Sequence, residues 1–369
     1  MKITIERAVI LKVLSHVNRA VERRNTIPIL ANVLIRASAG KIELKAIDLD
    51  IEIAESAPAV TEDGETTVNS SMFFDIVRKL PDGSQVVLES SNDKNTLTIR
   101  GGRSRFTLHT IPSSDFPDLN IGDMTHTFDL SSETIQKLFG RTLFAIATEE
   151  ARYYLNGIYI HTGGKNGSEI IGVATDGHRL AKVTVDGLEG SNGMPGIIVP
   201  RKTVTEVLRL SEDVDTVSVR LSSSKIEFTC GGAVLRSKLI DGTFPDYNRV
   251  IPAGNNKIAF FDRKDVAAAA DRVSTVSSER GRAVKFSLKP GQIELSVNNA
   301  DAGSAVEDIA VDYDADPIDI GFNSIYIAYI LREIVGDRVK VELGDPGSPA
   351  LFSSEESPDS IYVLMPMRV

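Results

Sequence analysis

A repeat constrains this chain more than any single motif. Phe74–Gly102 and Val204–Gly232 align without a gap at an offset of 130 positions. Each opens as a short helical pattern, Phe74–Leu80 and Val204–Leu210, and turns through acidic or Gly residues. Each then runs as two strands to a Gly-Gly pair, Gly101-Gly102 and Gly231-Gly232, with a Phe-Pro-Asp beyond at Phe116–Asp118 and Phe244–Asp246. A fainter third copy has a helix at Tyr326–Val335, a turn at Gly336-Asp337, strands at Val339–Leu343 and Ala350–Phe352, and a strand-like Ile361–Val369. Internal self-similarity of this kind means that one structural unit recurs along the chain.

The front half of each copy repeats as well. Helical patterns occupy Glu6–Val21, Ser131–Ala147 and Arg263–Val276. Ile10, Leu14, Val17 and Val21 make one apolar face, and Ile135, Leu138, Phe139, Thr142 and Ile146 another. Ser131 or Ser132 would cap the second helix, and Asp262 the third. Alternating strands follow each helix: Val33–Ala37, Ile42–Ala46 and Leu49–Ile53; Gly157–His161, Glu169–Val173 and Leu180–Val185; Val284–Leu288, Gln292–Val297 and Ala305–Val311. Pro112, Pro117, Pro252 and Gly254 break the stretches 111–127 and 250–257, which read as linkers. The fold class is therefore α+β: three repeated domains, residues 1–124, 125–252 and 253–369, built on antiparallel sheets. Two helices cover one face of such a sheet, so the other is solvated or joined to a neighbour.

Ala174–Ala181, Ala-Thr-Asp-Gly-His-Arg-Leu-Ala, crowds a turn signal, a lone His and an Arg between apolar residues. Asp176-Gly177 reads as a tight hairpin turn between two strands. Asp176 and His178 could form an acid–base pair, or the stretch could be a plain turn, or a recognition surface. No nucleophile or metal-ligand pattern accompanies the pair, which weighs against catalysis. The P-loop, the dinucleotide fingerprint, the Gly-x-Ser-x-Gly elbow and the His-Glu-x-x-His motif are absent from the sequence. One cysteine, Cys230, excludes an intramolecular disulfide framework, and five scattered histidines argue against a zinc site, so neither metal nor cofactor is expected. Met1–Arg7 carries no apolar signal region and no run is long enough to span a bilayer, so a cytoplasmic protein without membrane contact is expected.

The net charge of −10 argues against tight non-specific DNA binding. The charges are nonetheless segregated in sequence. Lys12, His16, Arg19 and Arg23 recur at helical spacing opposite an apolar face, with Arg24 beside them. Lys137 and Arg141, Arg201-Lys202 with Arg209, and Arg78-Lys79 mark other helices, whereas acids gather at 48–55, 62–65, 312–319 and 355–359. Either these bases merely solubilise helix faces, or they share one surface that touches phosphates without gripping them.

The ordered motifs Arg152–Gly157 (Arg-Tyr-Tyr-Leu-Asn-Gly), Ala174–Ala181, Val199–Lys202, Phe244–Tyr247, Gly321–Asn323 and Met365–Arg368 resemble the bacterial β sliding clamp family over essentially the whole length. The resemblance implies a non-catalytic homodimeric ring of the DNA-clamp fold, with sheets outside and helices inside around duplex DNA, which it encircles without reading sequence. It implies as partners a clamp loader, the replicative polymerase alpha subunit, other polymerases, ligase and mismatch-repair proteins, docking by short motifs of a Gln followed by apolar residues. The implied peptide pocket is Leu155, Thr175, Gly177, His178, Arg179, Leu180, Pro245, Arg249, Val250, Asn323, Tyr326, Val363, Met365, Pro366, Met367 and Arg368. Implied DNA-facing residues are Arg24, Tyr153, Tyr154, Arg201 and Lys202; the implied dimer interface uses Arg103, Arg105, Phe106, Leu108, Thr275 and Val276. A hydrolase centred on Asp176 and His178, and a scaffold with no DNA role, are the competing readings.

Overall fold

The structure, a computed structural model, describes residues 1–22, 26–91, 95–277 and 282–369. Two compact units divide the chain. One comprises Met1–Ile135, Leu188–Pro195 and Lys202–Leu239; the other comprises Gln136–Gly187, Gly196–Arg201 and Ile240–Val369.

The first unit is built on a 13-stranded sheet. Its order places the strand Ala233–Lys238 beside Ile51–Pro58, antiparallel, with Arg236 opposite Glu52 and Ala233 opposite Glu55. Strands of the first and middle thirds thus share one sheet through backbone hydrogen bonds. The helix Arg7–Val17 buries Ile10, Val13, Leu14 and Val17. The helix Ser70–Lys79 starts at Asn69, whose side chain accepts from the Met72 N–H and satisfies one free donor of the first turn.

The second unit repeats the device. A nine-stranded sheet pairs Arg179–Asp186 with Ser360–Leu364, so the middle third is joined to the last third edge to edge. A separate four-stranded sheet holds Ala283–Lys289, Gln292–Asn299, Gly303–Ala310 and Ile318–Asn323. The helix Arg263–Ser274 is capped by Asp262, as its position in the sequence led us to expect; the carboxylate accepts from the N–H groups of Lys264 and Asp265. Asn323 caps the helix Ser324–Glu333 in the same way.

Two local readings change. The strand expected over 49–53 begins instead at Ile51, because the Asp48 carboxylate accepts from the N–H groups of Asp50 and Ile51 and makes a turn there. The acids of 48–55 are also not a solvated run. Glu52 is fully buried at the seam of the large sheet and accepts from Arg236 Nη1 at 2.9 Å and from the Leu119 N–H at 3.1 Å, with Lys45 Nζ at 3.0 Å. Arg236 also donates to Glu227 at 2.8 Å, and Lys45 to Asp118 at 2.8 Å. Removing one partner from a buried charge network leaves the others desolvated and unpaired. Glu52→Ala should therefore lower the unfolding free energy by about 3 kcal/mol in urea melts; a loss under about 1 kcal/mol would show that the network behaves as a surface pair.

Candidate peptide groove and the charged surfaces

The motif at 174–181 lies between the strands Glu169–Thr175 and Arg179–Asp186, whose register closes at Thr175 opposite Leu180. The loop is thus wider than the two-residue turn expected. Asp176 explains it: one carboxylate oxygen accepts from the N–H groups of His178 and Arg179, at 2.9 and 3.0 Å, and the other from Arg179 Nε at 3.0 Å. Thr175 Oγ1 donates to the Arg179 carbonyl at 2.7 Å and accepts from the Gly177 N–H. Gly177 has φ +87°, a conformation that favours glycine; the nearest atom to a Cβ there would be the mobile end of the Arg152 side chain, Nη1 at 2.7 Å. The Asp176 carboxylate is committed to the turn and to Arg179, while the His178 ring lies over Tyr326 with centroids 6.4 Å apart.

Two cavities flank this loop, and Arg179 lines both. The smaller, about 300 Å³, is walled by Leu155, Leu180, Pro245, Val250, Val363 and Met365, with Thr175, Gly177 and Arg179 at the loop. Arg152, Tyr154, Asp246 and Tyr247 complete it. Leu155, Leu180, Tyr247 and Val363 belong at the same time to a buried cluster with Val173, Ile198 and Phe244, so the walls are continuous with the core. The chain's C-terminal strand reaches the site by pairing: Leu180 faces Val363 in register, and the Met365 N–H donates to the His178 carbonyl at 2.9 Å. The larger cavity, about 520 Å³, is lined on its aromatic side by Phe144, Tyr326 and Tyr329, with His178, Arg201 and Arg332.

Arg179 is the wall between them. Its side chain is 10 % exposed, and its guanidinium carbon sits 4.3, 4.9 and 5.2 Å from the ring centres of Tyr326, Tyr329 and Phe144. Its buried Nη1 meets no hydrogen-bond acceptor, and the three π faces take its place. Burial, and then the Arg179 charge, pull the Arg201 guanidinium below the ordinary arginine range.

The residues implied for a peptide pocket therefore divide. Leu155, Thr175, Gly177, Arg179, Leu180, Pro245, Val250, Val363 and Met365 converge on the smaller cavity. His178 and Tyr326 line the larger one instead. Arg249 is exposed and pairs with Asp246 at 3.3 Å. Asn323 spends its side chain on its helix cap. Met367 is tied to Gly321 by a backbone bridge, with Pro366 and Arg368 on either side of it in the chain. Sequence reasoning left out Arg152, Asp246 and Tyr247, although the Phe-Pro-Asp-Tyr run that supplies two of them was in view; Tyr154 had been placed with DNA.

The bases are more committed than their spacing suggests. In the first unit Lys12 pairs with Asp213 at 2.7 Å, His16 with Glu55 at 2.7 Å, and Arg209 with Glu206 at 2.8 Å. Lys202 donates to the Ala20 carbonyl at 2.9 Å and is held by Asp48. In the second unit Arg201 Nη2 donates to the Ile146 carbonyl at 2.5 Å, and the Tyr153 ring is half exposed. Arg23 and Arg24 lie outside the described residues. Lys137 and Arg141, read as exposed, are not. The helix expected over 131–147 is interrupted by a π turn at Gln136–Gly140. Lys137 is paired with Asp359, and Arg141 Nη1 donates to Ser357 Oγ at 2.8 Å and to Ser360 Oγ at 3.0 Å.

Repeated α+β thirds whose sheets continue into one another, carrying an apolar groove with its polar groups already committed, define a scaffold of the DNA-clamp class. Family models for the DNA polymerase III beta subunit match its N-terminal domain at residues 1–120, its central domain at 129–246 and its C-terminal domain at 248–368. The chain is 46 % identical over the full length of both proteins to the beta sliding clamp of Caulobacter vibrioides, and 35 % to that of Escherichia coli K12. Among solved structures, the sliding clamp of Bartonella birtlesii bound to griselimycin superposes with a TM-score of 0.96 at 47 % identity, covering all of both chains. The Caulobacter crescentus clamp with polyethylene glycol in a putative beta-motif tethering region gives 0.97 at 46 %, covering 100 % of this chain and 99 % of the other. The chain belongs to the DNA polymerase III beta subunit family, the bacterial sliding clamps, which are non-catalytic processivity factors of DNA replication that receive partners through peptide motifs.

The Lys137–Asp359 contact carries a pH signature. Burial alone would raise the Asp359 carboxyl, but the Lys137 ammonium and the Ser357 and Ser360 hydroxyls outweigh it and hold the group below the ordinary aspartate range. A carboxyl depressed in the folded state stabilises above its unfolded pKa of about 4 and loses that contribution as pH falls through its native value. The stability difference between wild type and Asp359→Asn should thus be constant above about pH 5 and shrink toward about pH 3, as read from urea midpoints across that range.

Proposed function

We propose that the cavity of about 300 Å³ is the docking groove for extended partner peptides, and that the chain acts as a homodimeric clamp around duplex DNA. The observation that carries the reading is the convergence of Leu155, Leu180, Pro245, Val250, Val363 and Met365 on one open cavity beside the loop of Thr175, Gly177 and Arg179. Apolar walls with an adaptable Met suit partner motifs of varied apolar side chains, and a few polar groups fix the strand direction of the peptide. His178, Arg249, Asn323, Tyr326, Pro366, Met367 and Arg368 would serve its rim. Among duplex-facing residues, Tyr153 has the exposure for phosphate or sugar contact; Tyr154, Arg201 and Lys202 would exchange present partners for DNA, and Arg24 belongs with them by sequence. Contacts of this kind position without specifying sequence, as a sliding protein requires.

For assembly, two open strand edges support a head-to-tail dimer. The segment Ser104–His109 pairs on one side only, with Thr96–Gly101, among the described residues. Gly303–Ala310 is the outer strand of its sheet. Both edges carry apolar side chains in the open, Phe106 at 37 % and Val306 at 61 %. Arg103, Arg105, Phe106 and Leu108 would meet the 303–310 edge of the partner, with Thr275 and Val276 packing alongside. The domain division we adopt is 1–124, 125–252 and 253–369, the loader, polymerases, ligase and mismatch-repair proteins are the partner set, and the compartment is the cytoplasm; no described helix is long and apolar enough to cross a membrane.

A Gln-Leu-x-Leu-Phe peptide should bind the wild-type chain in a calorimetric titration, and Leu180→Asp should weaken it at least tenfold (about 1.4 kcal/mol). An unchanged affinity would remove the groove from this role. Loader-deposited protein should stay on nicked circular DNA and leave on linearisation, whereas equal loss from both forms would reject encirclement. Light scattering should give a dimer at micromolar concentration; a monomer there would reject the ring.

A further inference from the structure

The wall of the groove contains a tyrosine whose hydroxyl meets a histidine. Tyr247 lines the cavity, and its hydroxyl lies 2.9 Å from His161 Nε2. The other imidazole nitrogen, Nδ1, lies 2.8 Å from the Thr162 carbonyl. A carbonyl only accepts, so Nδ1 must carry the proton. In the neutral ring Nε2 is then the acceptor, and the Tyr247 O–H is the donor. The phenol is suited to that part: burial, with Tyr159 and Asp246 adding to it, pushes its pKa up to about 12.

The same imidazole is fixed from its faces. Tyr159 stacks on His161 with centroids 4.8 Å apart, and Phe244 stacks on the far side of Tyr159 at 5.0 Å and 7°. His161 meets the Tyr247 ring at 5.8 Å. Phe244, Tyr159, His161 and Tyr247 thus form a ladder that runs from the buried cluster to the groove wall. The titratable groups facing His161 are the Tyr159 and Tyr247 phenols, and the Asp246 charge acts on Tyr247. His161 itself is not among the residues that line the cavity.

We propose that His161 is a positioning residue for the groove: its neutral imidazole, protonated at Nδ1, holds the Tyr247 hydroxyl and so fixes the ring against which a docked peptide packs. The proposal rests on the groove being a peptide site. Without the acceptor the buried hydroxyl has no partner, and the ring must turn outward to find water, closing part of the cavity. Removing both polar partners together leaves nothing unsatisfied and lets the ring stay.

The test is a double-mutant cycle on the full-length protein, read as the Kd of the Gln-Leu-x-Leu-Phe peptide. His161→Phe keeps a flat ring and loses the acceptor; it should weaken binding roughly fivefold or more. In a Tyr247→Phe background, whatever the affinity of that background, the same His161→Phe change should weaken binding by less than about twofold, and His161→Gln, which restores an acceptor oxygen, should recover most of the loss. Should His161→Phe not fold, nitrogen-15 shifts of the wild-type imidazole decide the matter: protonation at Nδ1 is expected, and an Nε2–H tautomer overturns the proposal. So does His161→Phe with wild-type affinity, or a His161→Phe loss just as large in the Tyr247→Phe background as in the wild type. A wild-type chain that ignores the peptide would instead strike at the groove reading itself.

Discussion

Backbone pairing between strands far apart in sequence is the constraint on which the other features depend. Ala233–Lys238 completes the edge of Ile51–Pro58, and Ser360–Leu364 completes the edge of Arg179–Asp186. In each case a strand that would otherwise expose a row of N–H and C=O groups is satisfied by a strand from a different third of the chain. The groove follows from the second junction, because Leu180 and Val363 face one another only when that register holds. A slip of one residue would send every side chain of Ser360–Leu364 to the opposite face and empty the cavity of Val363. The buried charge network follows from the first junction, because Glu52 and Arg236 are cross-strand neighbours.

The electrostatic organisation is local pairing more than segregation. Lys12, His16, Arg209 and Lys202 each find an acid or a carbonyl within their own unit, and Lys137 and Arg141 are drawn onto the 357–360 turn. These cations are thus committed within a chain whose overall charge is −10. Such a surface holds a polyanion weakly, and weak contact is compatible with sliding, since deep phosphate contacts would have to break at every step.

Much of the fold was legible because it is written in local patterns. Asp262 reads as a cap since a carboxylate before a helix has free N–H groups to accept from, and the helices at 70–79 and 201–210 echo one another along the repeat. The strands on either side of Asp176-Gly177 were equally plain. What escaped was anything set by a partner distant in sequence. Glu52 looks like one more acid in an acidic run until Arg236 stands opposite it. Lys137 and Arg141 fit an exposed stripe until a π turn and three side chains of 357–360 claim them. Tyr247 sat inside a motif that had been singled out, yet its place in the groove wall depends on Leu155 and Val363, which no spacing rule connects to it. The turn at Asp176 was misjudged in width because its geometry is set by side-chain acceptance from two N–H groups, which a dipeptide signal does not encode.

The open edges at Ser104–His109 and Gly303–Ala310 have a consequence for quality control in the cell. Joined head to tail, as proposed above, they are different surfaces on one chain, and their union is directional. Directional contacts either close on themselves or propagate without limit, and what separates the two outcomes is the angle between successive copies. A variant that leaves both edges intact but alters the angle would trade closed rings for filaments. Purifying selection should therefore act on residues that set the bend of the chain, even where they touch neither DNA nor partner.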